Sequence, residues 1–103
     1  MYATIRRYEG IDESRSEEIA RRVIDEFIPQ VSELEGFDGY FVLNAGRVLA
    51  TISIFESESG AEESTRLARD FIHDEGLQDA IPNPPVVTAG EVVAHKARAA
   101  ALA

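Results

Sequence analysis

Apolar side chains follow a period of two at the start of the chain, then about 3.6, then two again in a pair of runs, then about 3.6, and finally two. Tyr2 to Tyr8 alternates as a strand, and Glu9-Gly10-Ile11-Asp12 turns the chain out of it. Ser14 and Glu17 stand at capping-box spacing, so a helix is expected to begin there. Its apolar stripe is Ile19, Ala20, Val23, Ile24, Phe27, Ile28 and Val31, with Glu18, Arg21, Arg22, Asp25 and Glu26 on the other face. Pro29 removes a backbone donor near the end and predicts a kink or a separate last turn through Leu34, stopped by Gly36.

Asp38 to Asn44 and Arg47 to Glu56 are two β-rich runs joined by Ala45-Gly46, a hairpin connection. A second capping box, Ser59 with Glu62, opens a helix whose buried stripe is Ala61, Thr65, Ala68, Phe71 and Ile72, flanked by Leu67 and ended by Gly76. Residues 77–85 form a proline-rich connection, and Val86 to His95 returns as a fourth strand. The order βαββαβ predicts an α+β, ferredoxin-like domain: a four-stranded antiparallel sheet with two helices on one face. Residues 1–95 make that single domain, and 96–103 (KARAAALA) are expected to be a flexible tail.

The middle strands break the usual rule for a sheet covered on one side. Tyr40 and Val42 share one parity, Phe41 and Leu43 the other; Ala50, Ile52 and Ile54 oppose Leu49 and Phe55. A sheet apolar on both faces expects cover on both. Two helices supply one layer, so a second copy of the same sheet, related by a two-fold axis, is the expected other.

Composition narrows the field. Nineteen Asp and Glu against ten Lys and Arg give a net charge of −9, whose field repels phosphate backbones and argues against nucleic acid as a partner. Without cysteine there is no disulfide, thiol nucleophile or thiolate metal site, which fits a reducing cytoplasm. No apolar run approaches the ~18 residues of a membrane span, and the N-terminus runs directly into a strand pattern without an apolar leader. A cytoplasmic protein away from membranes is the expectation.

Gly36-Phe37-Asp38-Gly39-Tyr40 entering the second strand, Phe55-Glu56-Ser57 leaving the third, and Gly90-Glu91-Val92 in the fourth resemble the antibiotic biosynthesis monooxygenase superfamily. The resemblance spans residues 2 to 95. It implies a homodimer with the two sheets facing each other, a dimeric α/β barrel, and a small-molecule pocket in each subunit between sheet and helices. Some members oxidise polycyclic aromatic compounds with dioxygen and no cofactor, and others degrade haem. Those activities lean on a tryptophan, an asparagine in a strand and, for haem, a histidine on the second helix. This chain has no tryptophan and no asparagine in its first strand, and His73 does not fall at the ligand position. The implied function is a cofactor-independent monooxygenase-like protein acting on a small aromatic compound. The alternatives are a non-catalytic small-molecule-binding protein and a purely structural dimer.

Four residues carry the candidate chemistry. Tyr40 and Asn44 share a face of the second strand, where a phenol and an amide can orient a polar substrate or stabilise a developing oxyanion. Their structural roles would be a core aromatic and a turn-former. Arg6 and Arg7 lie in what this topology makes a central strand, so one of them points into a protein layer. Such an arginine anchors a substrate anion or makes a structural ion pair, with Glu91 the first expected partner and Glu56 the second. His73 and His95 read as surface or incidental residues without metal-ligand spacing, and Ser64 has no base within a nucleophile motif. No cofactor and no metal are expected.

Overall fold

Strand β1 (Tyr2–Glu9) is central in the computed structural model, which describes residues 1–96. It pairs antiparallel with β3 (Val48–Phe55) on one side and with β4 (Val86–Glu91) on the other, and β2 (Phe37–Asn44) lies outside β3. The strand order β2-β3-β1-β4, with helices inserted after β1 and β3, is the ferredoxin-like arrangement that the periodicity predicts. The expected flexible tail falls, from residue 97 onward, outside the described residues.

The first helical layer runs in three pieces: α1 (Ser16–Arg22), a π-helical turn (Val23–Phe27) and α2 (Ile28–Val31). The capping box at Ser14 does not form. Asp12 caps instead, accepting from the Ser14 N–H at 3.1 Å and leading through a 3-10 turn (Glu13–Arg15). An aspartate two residues upstream satisfies the same orphan donors and adds its charge to the positive end of the helix. Pro29 acts earlier than expected. The Ile28 N–H reaches back five residues to the Val23 carbonyl, and this widened turn accommodates the proline ring, which would otherwise press on the carbonyl four residues before it.

Helix α3 (Glu58–Asp74) is capped by Ser57 rather than Ser59, the Ser57 hydroxyl accepting from the Gly60 N–H at 3.4 Å. Gly60 is needed for close approach: a Cβ there would lie 2.7 Å from the Phe55 ring. The buried residues of α3 are Ala61, Ser64, Ala68 and Phe71, with Thr65 and Ile72 half-buried.

Strand β4 stops at Glu91, short of the expected His95. Its one neighbour among the described strands, β1, supplies no partner beyond Tyr2, which lies opposite Glu91, and the Val92 N–H makes a last bond to the Met1 carbonyl. The core joins Tyr8, Leu49 and Phe55 of the sheet to Ile19, Val23, Phe27, Val31, Ala68 and Phe71 of the helices. The connection 77–85 contributes as well: Leu77, Ala80 and Ile81 are buried, and the Asp12 N–H bonds to the Ala80 carbonyl at 3.0 Å.

Among the described residues no helix covers the other face of the sheet. Ile5, Phe41, Leu43 and Val86 point there and are 38–50% exposed, alongside Ile52 and Ile54 on the same face.

Candidate functional site

Alternation along β1 decides which arginine faces inward. Thr4, Arg6 and Tyr8 lie on the helix side and are buried, whereas Ile5, Arg7 and Glu9 alternate to the outside. Arg7 is exposed and approaches Glu9 at 3.8 Å. Arg6 is 0% exposed.

The carboxylate expected beside the buried guanidinium is not there. Glu91 and Glu56 are both exposed, and no Asp or Glu among the described residues pairs with Arg6. Four hydroxyls surround it instead. Nε and Nη2 donate to Thr65 Oγ1 at 3.1 and 2.9 Å, Nη1 to Thr51 Oγ1 at 3.4 Å, and Nη2 to Ser53 Oγ at 3.3 Å and Ser64 Oγ at 2.5 Å. The sequence pairing that failed, cation with carboxylate, is replaced by a set of neutral acceptors arriving from β3 and α3. Burial holds the guanidinium below the ordinary arginine value, opposed by the neighbouring phenols of Tyr40 and Tyr8. Two residues along the strand, Thr4 Oγ1 is buried with no hydrogen-bond partner.

Two spaces flank these residues. One, between the helices and the sheet, is only about 20 Å³ and is walled by Tyr8, Phe27, Tyr40, Leu49 and Phe71. That is room for a single water. Phe27 fills this region, its ring 5.5 Å from Tyr40 and 5.2 Å from Phe71. Tyr40 therefore sits in packed core, its pKa raised by burial, which outweighs the opposing influence of the Thr51 hydroxyl and the Arg6 charge. Asn44 is exposed at the hairpin, where its Oδ1 accepts from the Gly46 N–H at 3.1 Å; Gly46 has φ of +76°. An amide acceptor and a left-handed glycine together close the turn. Tyr40 and Asn44 thus share a face but not a site.

The larger space is a cleft of about 380 Å³ between α3, β1 and the 77–85 connection. Arg6, Tyr8 and Thr65 lie along its inner wall, Ile72, Ile81 and the prolines 82, 84 and 85 along its sides, and Val87 on the β4 edge. A recess of about 260 Å³ over Thr4 adjoins it, sharing Thr65 and Val87. The cleft exists because α3 packs over β3 and β1, leaving the inward-facing Val87 of the edge strand 46% exposed. Burial drives the Tyr8 phenol up to about 12, with Arg6 opposing and Tyr40 adding to the rise.

Of the two arginines expected from the sequence, Arg6 lies at the cleft and Arg7 does not, and the surroundings of Arg6 are not the expected ones. Thr51 and Ser53 stand on the buried parity of β3 between Leu49 and Phe55, and Thr51 is the register partner of Arg6. Hydroxyls on an otherwise apolar inward face were the available signal. Ser64, weighed only as a nucleophile, is a fully buried acceptor for Arg6 that donates to the Ala61 carbonyl at 2.7 Å. His73 is exposed beside Asp74, and no group of three or more His, Asp or Glu side chains able to hold a metal occurs among the described residues. No helix among them is long and apolar enough to cross a membrane.

No family model and no curated protein matches the sequence. Solved structures do match the fold. A protein of unknown function from Nitrosomonas europaea superposes with a TM-score of 0.73 at 17% identity, over 94% of this chain and 93% of its own. A monooxygenase from the gene ActVA-Orf6 of Streptomyces coelicolor, in complex with the ligand nanaomycin D, superposes with a TM-score of 0.72 at 12% identity, over 94% and 91%. A dimeric ferredoxin-like protein from an uncultured marine organism gives 0.64 at 10% identity, over 94% and 98%. Further structures of this fold, from Nitrosomonas europaea, Bordetella bronchiseptica and Caulobacter crescentus, carry the provisional name antibiotic biosynthesis monooxygenase. The chain therefore has the ferredoxin-like fold that these proteins share, the fold expected from its resemblance to that superfamily.

Proposed function

We propose that this chain acts as a homodimer that takes a small aromatic compound into the cleft of each subunit and oxygenates it with dioxygen, without a cofactor. The cleft carries the proposal. At about 380 Å³ it has the size of an ordinary ligand pocket, with proline and aliphatic walls and a cation at its base. The shared fold with the Streptomyces coelicolor monooxygenase supports the same reading. The uncovered apolar face of the sheet supports the homodimer, and the dimeric ferredoxin-like neighbour agrees with it. The cysteine-free composition suits the reducing cytoplasm, where we place the protein.

The chemistry that fits is oxidation of an acidic ring position. Converting an aromatic methylene to a carbonyl consumes one dioxygen, one oxygen atom entering the product and the other leaving as water. The substrate yields electrons most readily as its anion, so something must remove or have removed a proton. Among the described residues no His, Asp or Glu lines the cleft. The Tyr8 phenol, pushed up to about 12, remains protonated near neutral pH. The substrate thus enters already ionised, and the role left to the protein is to hold that anion beside fixed donors.

Oxygen consumption with a panel of anthrone-like phenols, in the presence of a metal chelator, tests this reading. Turnover that survives chelation and falls at least tenfold in Val87→Trp, which fills the cleft from an exposed edge position, supports it. Absence of turnover across the panel, or turnover indifferent to Val87→Trp, overturns the enzyme reading. A second reading, binding without turnover, is favoured by the missing base, and saturable binding with no oxygen consumption is its signature.

A further inference from the structure

We propose that the cleft is a receptor for an organic anion, a carboxylate or ionised phenol on an aromatic body, held by Arg6 at the position that Thr65 Oγ1 now occupies. The inference rests on the cleft being a ligand site, and it adds the chemical class the site takes.

Charge is the first argument. The chain carries 19 acids against ten Lys and Arg, yet among the described residues the cleft is lined by two arginines, Arg6 and Arg69, the latter 3.8 Å from the neighbouring Asp70, and by no carboxylate. The adjoining recess has one acid, the exposed Glu62. An acidic protein with an acid-free, doubly basic cleft has set this surface apart from the rest. Arg6 is also fully buried against neutral hydroxyls alone. A buried guanidinium is ordinarily compensated by an anion, and leaving it without one disfavours the folded state.

Geometry is the second. Nε and Nη2 of Arg6 both donate to Thr65 Oγ1, at 3.1 and 2.9 Å. That pair of donors is the edge of the guanidinium fork that grips a carboxylate with two parallel bonds. Thr65 is half-buried, lines both the cleft and the recess, and has the Ala61 carbonyl as a second partner at 3.3 Å. Turning its hydroxyl aside opens Arg6 to the cleft. Thr4 Oγ1, buried without a partner on the same face of β1 and lining the recess, is a spare donor for a second anionic oxygen.

Three of the four hydroxyls around Arg6, those of Ser53, Ser64 and Thr65, do not need it. Ser64 Oγ donates to the Ala61 carbonyl, Ser53 and Ser64 share a hydrogen bond at 3.3 Å, and Thr65 Oγ1 keeps the Ala61 carbonyl at 3.3 Å. A guanidinium recruited to satisfy buried hydroxyls would leave most of them orphaned on removal, and these three keep a partner.

Calorimetric titration with 2-naphthoate and its neutral isostere 2-naphthamide decides the matter. The acid is expected to bind at least tenfold tighter than the amide, and the preference is expected to vanish in Arg6→Met. Should Arg6→Met fail to fold, Thr65→Asp replaces it: an internal carboxylate at the Thr65 position neutralises Arg6 and excludes naphthoate, while Thr65→Asn retains binding. Equal affinity for acid and amide overturns the anion assignment but leaves an aromatic-ligand cleft. Binding of neither probe overturns both. Tight naphthoate binding without oxygen consumption on any phenol upholds the anion site and counts against the oxygenase.

Discussion

Ile5 and Ile52 lie directly opposite each other on neighbouring strands β1 and β3, both on the face of the sheet away from the helices, with Ile5 43% exposed. With Phe41, Leu43 and Val86 they form an apolar surface that a monomer would leave in water. Light scattering on a sizing column is expected to return twice the 11.3 kDa chain mass. Ile5→Glu is expected to give monomer with lowered thermal stability, because the charge blocks the two-fold contact and uncovers the face in the same step. A wild-type monomer at micromolar concentration would contradict the proposed assembly.

Asn44→Ala is expected to cost about 1 kcal/mol of stability, the value of a side-chain bond to a turn N–H, while leaving ligand affinity unchanged. Denaturant unfolding and naphthoate titration of the same variant separate the two effects. Loss of affinity with stability intact would return Asn44 to the functional site.

Gly60→Ala sets two opposed effects against each other. Alanine gains up to about 1 kcal/mol of helix propensity over glycine. The new Cβ, however, meets the fully buried Phe55 ring at 2.7 Å and the Glu35 carbonyl at 3.3 Å, and such overpacking costs about 1–3 kcal/mol. The net expectation is destabilisation by about 1 kcal/mol, read as a lower midpoint in urea without a change of slope.

Element order was legible in the sequence because each element is long enough to show its period. That one of Arg6 and Arg7 points inward was legible too, since a central strand of an α+β sheet gives alternate residues to the helical layer; which one was decided only by the register. Its partners were not. A search among sheet acids led to Glu91 and Glu56, but the helix layer and β3 offered hydroxyls closer at hand, and Thr51 and Ser53 read as ordinary strand residues until the register placed them against the guanidinium. The cleft was out of reach for a different reason. It depends on α3 leaving β4 uncovered and on Leu77, Ala80 and Ile81 folding the proline-rich connection into the core, both consequences of tertiary packing. Tyr40 was drawn to the functional site by the phenol alone, and the bulk of Phe27, in the periodic pattern simply another core position, is what seals it off.

Alkaline pH provides a test of the Tyr8 environment. The folded-state pKa lies near 12, above the ordinary value of 10, so the protonated phenol favours the folded state. That contribution is fully present below pH 10 and is lost as pH rises from about 10 to 12, because the unfolded chain releases its proton first. Roughly 3 kcal/mol is at stake by the usual conversion of about 1.4 kcal/mol per pKa unit. Unfolding midpoints measured across this range are expected to fall steeply in the parent and to flatten in Tyr8→Phe. Parallel curves for the two proteins would show that Tyr8 is not the group responsible.

Arg6 should behave unlike any other fully buried large side chain in the molecule. Phe27, 2% exposed at the centre of the core, is expected to lose about 3–5 kcal/mol on truncation to alanine, through lost transfer energy and the cavity left behind. Arg6 is as deeply buried, but its desolvated charge meets only neutral hydroxyls, and each of Ser53, Ser64 and Thr65 retains another partner when it goes. Methionine fills much of the same volume with no charge to desolvate. Replacing buried ionic groups by apolar ones of similar size is often neutral or stabilising by about 1–4 kcal/mol. Arg6→Met is therefore expected to be at least as stable as the parent by urea unfolding, while losing the preference for naphthoate over naphthamide. A residue kept at a cost to stability and needed for anion binding belongs to function. If Arg6→Met instead loses 3 kcal/mol or more and the acid preference survives, the hydroxyl cluster is a structural device, and the anion must find its charge elsewhere in the cleft, with Arg69 the next residue to change.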